Sequence, residues 1–161
     1  METPKYFFQY RDDAQKLFLR EYVYALGTFH YNWHDEIELL VILRGRADIC
    51  TGGCVYQLEE DDMILINSNE GHATLARSAD CLAFLIRFSP TVFEAYDANY
   101  RALRFQLLTD SSSRAQLPYR LLRMYMTKML LAMETDEQKN LLQMQSGLYP
   151  LLELLQSQFR Q

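Results

Sequence analysis

The chain has 161 residues, with 21 Asp and Glu against 16 Lys and Arg, a formal net charge of −5 and a pI near 5.2. That length fits one domain with an appendage, and 49% hydrophobic with 13% aromatic residues is ample for a packed core. The acidic balance speaks against DNA binding by this piece alone, and neither a bilayer-spanning run nor a signal peptide is present in the sequence.

Residues 1–16 mix polar and aromatic side chains and read equally as an edge strand or as an arm folded over a barrel. Leu17 to Leu26 is strand-like through Phe18, Tyr22, Val23 and Tyr24. A polar segment rich in His and Asn, starting at His30, then meets the nearly unbroken apolar run within Glu36 to Leu43, closed by Gly45. Strands of that kind bury both faces or close a barrel, and polar groups at their ends point into an enclosed space. Ala47 to Cys50 and Val55 to Leu58 flank Gly52-Gly53, whose tolerance of positive φ predicts a tight hairpin. The acidic turn Glu59 to Asp62 leads to Met63–Ile66, a loop at 67–71, and strands at Thr74 to Arg77 and Cys81 to Phe88. Short strands at this spacing predict a sandwich or barrel.

The period then becomes helical. Pro90 opens a short helix to about Asn99, and a Ser-rich loop at Asp110 to Arg114 precedes Leu117, Leu121, Tyr125, Met129 and Met133 on one helix face. Thr135-Asp136-Glu137-Gln138 fits a capping box for a last helix. That helix carries Leu141, Met144, Leu148, Leu151 and Leu155 in a heptad-like seam, with a kink expected at Pro150. Cys50, Cys54 and Cys81 form no CxxC pair and read as reduced thiols of a cytoplasmic protein.

Asn32, His34 and Glu38 share strand parity, but four residues of straight strand separate side chains by about 13 Å. A turn at Asp35-Glu36 would return Glu38 beside His34. Trp33, of opposite parity, is expected outside the barrel or at its rim.

At HYNWHDEIELLVILRG and DDMILINSNEGH the chain resembles a cupin, and more narrowly the N-terminal effector-sensing domain of AraC-family transcription regulators, a bacterial family. The resemblance is good over residues 20 to 90 and looser beyond. It implies a mainly β fold with C-terminal α: a cupin (jelly-roll) barrel over 1–90, with 1–16 a candidate arm, and a helical region over 91–161. Cupins gather a His-x-His pair, a later Glu and a final His around a metal. Here Asn32 stands at the first of those positions, followed by His34, Glu38 and His72. Asp61 replaces a usual Gly, and Ser68 a frequent Pro. His34, Glu38 and His72 are therefore weak metal candidates, and no metal or cofactor is expected. With Asn32, Tyr24 and Tyr56 they are expected to line a pocket for a small, sugar-like effector. Phe84 and Arg87 are further pocket candidates, and simple pairing of His34 with Glu38 is the bland alternative.

The resemblance also implies a homodimer through the helices, placed here on Leu141, Met144, Leu148, Leu151 and Leu155. DNA contact would come only through a helix-turn-helix domain absent from this chain. The competing class is a small metal-dependent cupin enzyme, an isomerase or dioxygenase.

Overall fold

A computed structural model describes residues 6–134 and 137–161, with 137–139 by backbone alone. Among the described residues nine antiparallel strands form two sheets. β1 (Tyr6–Asp12), β2 (Leu17–Ala25), β9 (Leu82–Phe88), β4 (Ile37–Arg44) and β7 (Met63–Ile66) lie side by side in that order. β3 (Thr28–Asn32), β8 (His72–Ala76), β5 (Ala47–Thr51) and β6 (Cys54–Leu58) make the second sheet. The fold is mainly β, a cupin-like jelly roll with C-terminal helices.

The apolar runs are explained by burial on both faces of the five-stranded sheet. Because side chains alternate along a strand, Leu40 and Ile42 of β4 join Ala83 and Leu85 of β9 and Tyr22 and Tyr24 of β2 in a core between the sheets. Leu39 and Val41, with Phe84, Ile86 and Phe88, join a second core under the helices. Residues 6–12 form an edge strand, paired from Tyr6↔Val23 to Asp12↔Leu17. At the β5–β6 hairpin Gly52 and Gly53 adopt φ of +58° and +75°, as their turn requires. Asp61 sits at φ +70°, the left-handed conformation that explains why glycine suits this position.

The helices are α1 (Leu117–Ala132) and α2 (Glu137–Leu154), the latter running through Pro150 into a π turn at Leu155–Phe159. Gly147 lets them approach closely: a Cβ there would lie 2.5 Å from the Tyr125 carbonyl oxygen. Before α1, the chain runs back along β7, where Leu65 donates to the Leu107 carbonyl and Thr109 to that of Met63.

Several expectations need correction. The helix to Asn99 is only a 3₁₀ turn, Pro90–Phe93, capped by the Ser89 hydroxyl, with a second turn at Tyr100–Ala102. The start of the His- and Asn-rich segment, from His30 to Asn32, completes strand β3, while Trp33 and His34 lie on the connection to β4. The buried row of α1 is Leu122, Met126, Met129 and Ala132, while Leu117 is exposed. The capping-box residues Thr135 and Asp136 lie outside the described residues.

The expected dimer seam is also corrected. Met144, Leu148, Leu151 and Leu155 are buried in the chain's own core, because α2 spends that stripe on α1 and the sheet. Of the five, Leu141 alone is exposed.

Candidate functional site

Strand register assembles the site. Parity places Glu38 of β4 on the inter-sheet face with Leu40, and Arg87 of β9 lies directly across from it. From the other sheet, His72 of β8 pairs with Asn32 of β3, while His34 follows on the short connection to β4. The turn at Asp35-Glu36 does bring His34 back onto Glu38.

Everything converges on one carboxylate oxygen. Glu38 Oε2 lies 3.1 Å from His34 Nε2, 3.6 Å from His72 Nε2 and 2.8 Å from Arg87 Nε. The backbone aims both imidazoles: Nδ1 of His34 donates to the Glu36 carbonyl at 3.2 Å, and Nδ1 of His72 to that of Glu70 at 3.1 Å. Burial by itself would push the Glu38 carboxyl up. The His34 hydrogen bond and the positive charge of Arg87, with His72, outweigh it and hold the group below its ordinary value. The Tyr24 phenol is pushed up by burial and by the nearby Glu38 charge.

The donors of His34, Glu38 and His72 all lie within 4.8 Å of one another, and imidazoles oriented by backbone carbonyls are typical of metal ligands. The charge around them is not. The oxygen that both rings face is already neutralised by the Arg87 guanidinium, and the residue across from His72 on β3 is Asn32, an amide rather than an imidazole. A divalent ion would have to share that oxygen with a fixed cation, so the cluster does not fit a metal as it stands.

Beside the cluster is a cavity of about 60 Å³, lined by Tyr24, Phe29, Asn32, Glu38, His72, Thr74, Leu85 and Arg87, with His30 at its edge. The Thr74 hydroxyl is buried and has no hydrogen-bond partner among the described residues. Two expected pocket residues are elsewhere. Tyr56 lies on edge strand β6, separated from β8 by β5, and packs partly buried against the inter-sheet core. Phe84 has the opposite parity to Arg87 and faces the helices. Trp33 is exposed. Thr74 and Phe29 were not anticipated; Thr74 shares parity with His72, which would have pointed to it.

No curated protein matches the chain. Solved structures are similar in fold alone. The cupin domain of Cnp3 from Schizosaccharomyces pombe has 8% identity and a TM-score of 0.43, over 52% of this chain and 62% of that one. This chain thus spans less than two thirds of it. The cupin domain of an XRE-family transcriptional regulator from Enterobacter cloacae has 17% identity and a TM-score of 0.41, over 52% and 93%. A predicted oxalate decarboxylase from Thermotoga maritima has 20% and 0.38, over 45% and 64%. The model of the AraC-like ligand binding domain, by contrast, matches residues 17–152. That span runs from the start of β2 into the last turn of α2, and the chain therefore belongs to the AraC-like ligand binding domain family.

Proposed function

We propose that this chain is the effector-sensing domain of an AraC-type transcription regulator, and that a small hydroxylated molecule binds between its two sheets. The unpartnered Thr74 hydroxyl carries this reading. A buried polar group without a partner costs about 1–3 kcal/mol, which a ligand hydroxyl would recover. Tyr24, Asn32 and Arg87 add polar groups to the same wall, while Phe29 and Leu85 supply apolar faces.

Size limits the ligand. At about 10–15 Å³ per water, a 60 Å³ cavity holds only a few non-hydrogen atoms, far below the roughly 300 Å³ of a drug-sized site. A sugar ring enters only if β3 moves aside. That strand hydrogen-bonds to β8 alone, and its register slips between Phe29 and Asn32.

The test is calorimetric titration with glycerol and with a pentose, on the parent and on Thr74→Val. The reading predicts that at least one of them binds and that the variant weakens it about tenfold. Binding unchanged by the substitution would place the ligand elsewhere, and no binding of either would remove the hydroxylated class.

On this reading the module works as a cytoplasmic homodimer, and DNA contact belongs to a helix-turn-helix domain rather than to this acidic piece. The exposed row Leu117, Met124 and Leu131 of α1, at heptad spacing, replaces the buried α2 seam as the dimer surface. Among the described residues no helix is long and apolar enough to cross a membrane. A second reading, a small metal-dependent cupin enzyme, has the His34–Glu38–His72 convergence behind it and Arg87 against it.

A further inference from the structure

An apolar cavity lies outside the sandwich. It measures about 440 Å³ and sits between the 3₁₀ turn after β9, the β1–β2 turn and the C-terminal part of α2. Its volume is in the range of small-molecule sites, several times that of the cavity between the sheets. Val92, Phe93, Tyr149 and Leu152 form the walls, and Tyr96, 72% exposed, stands at the mouth.

Two further observations say what belongs there. Gln156 lines the cavity, and its amide nitrogen is shielded from solvent yet donates to nothing among the described residues. It is held by the π turn that continues α2, a rare backbone irregularity that is frequent at functional sites. The terminal torsion of a Gln side chain is broad and soft, so a small rotation presents the amide to a guest. The lining also carries one carboxylate, Glu153, and no basic group. That lining disfavours an anion, and beside the Tyr96 and Tyr149 hydroxyls the Gln156 amide is the donor shielded from solvent that a guest must match.

We infer that this cavity is a second ligand site, separate from the one between the sheets, for a neutral, flat, apolar molecule with one hydrogen-bond acceptor. The aromatic walls Phe93, Tyr96 and Tyr149 stack or abut its ring, and the Gln156 amide donates to its carbonyl or ether oxygen. The site touches the rest of the molecule through Phe93, whose ring lies 6.2 Å from that of Phe88 on β9 and 5.5 Å from that of Phe105.

The probe is coumarin, a fused bicycle with a lactone carbonyl, compared with naphthalene, which has the shape without the acceptor. Binding to the whole chain is followed by saturation-transfer NMR and calorimetry. Coumarin is expected to bind, and Glu153→Trp, an exposed position at the cavity, should weaken it about tenfold by filling the space. Gln156→Leu should weaken coumarin about tenfold while changing naphthalene less than about twofold. Circular dichroism of both variants checks that the fold is intact; neither position is a fully buried one. The inference is overturned if coumarin fails to bind at about 1 mM, the weak end of specific affinity. Binding that survives Glu153→Trp, or that is lost instead with Thr74→Val between the sheets, overturns it as well. Equal losses of both probes in Gln156→Leu would overturn the acceptor requirement.

Discussion

Two buried glutamates of this chain make opposite bargains with their surroundings. Glu38 keeps its charge because Arg87 and the two imidazoles share one of its oxygens. Removing the guanidinium should turn that cluster into a cation site. Arg87→Met is expected to bind Zn²⁺ or Ni²⁺ at least about tenfold more tightly than the parent by calorimetry. Adding His34→Ala should abolish the gain. A parent that already carries an equivalent of metal when purified would show that Arg87 does not exclude one. Glu21 has no such partners. It is 0% exposed, both carboxyl oxygens lack a partner among the described residues, and burial pushes its carboxyl up to about 8. The folded chain therefore holds a proton that the unfolded chain releases near its ordinary value of 4.5. Stability from this group is present in full below that value and falls as pH rises toward 8, by an amount on the order of a few kcal/mol. Urea unfolding at pH 6 and pH 9 should show the parent weaker at the higher pH and Glu21→Gln with a smaller difference. An unchanged difference would mean that the carboxyl stays charged in the fold. Parity aligns Glu21 with Leu17, Leu19 and Val23, but its isolation was not legible in the sequence, because that depends on what α2 brings over it.

At the scale of elements, the apolar runs were legible because apolar side chains at nearly every position leave no solvated face. β3 was not. Its side chains are mostly exposed, and a strand held to one neighbour by backbone hydrogen bonds needs no apolar alternation. The two α-helices were located, but the phase of α1 and the partner of α2 were not. On α2 a stripe of Leu is equally suited to an intrachain neighbour or to a second copy, and only packing decides between them. Here it buries Met144, Leu148, Leu151 and Leu155 within the chain and leaves the α1 row outside: Leu117 at 63%, Met124 at 45% and Leu131 at 50% exposure. If that row pairs two copies, Met124→Glu and Leu131→Glu should each shift the protein toward monomer in sedimentation at tens of micromolar. Leu148→Glu should instead unfold it, since the charge would enter the core. A parent that sediments as a monomer would refute the dimer, and a dimer indifferent to both α1 substitutions would move the interface to the strands.

For the whole molecule, His34, Glu38 and His72 could be read as a set because their spacing resembles a known pattern. The oxygen they share with Arg87 could not, since β4 and β9 lie far apart in sequence and meet only through sheet order. The two cores flank one sheet, so substitutions on either side should report on a single event. Leu39→Ala, toward the helices, and Leu40→Ala, toward the second sheet, should each cost about 2–5 kcal/mol. Calorimetry should show one transition in both variants; two separated transitions would mean that helices and sandwich unfold independently. The central strands thus work as a party wall with an occupied room on either side. Next to solvent, a wall can bulge when something is pushed against it, because water yields. This one has close-packed side chains behind it, which resist compression. A guest that pushes on Arg87 or Leu85 must either stay small enough to leave the wall still, or shift Ile86 and Phe88 and, through them, the helices on the far side.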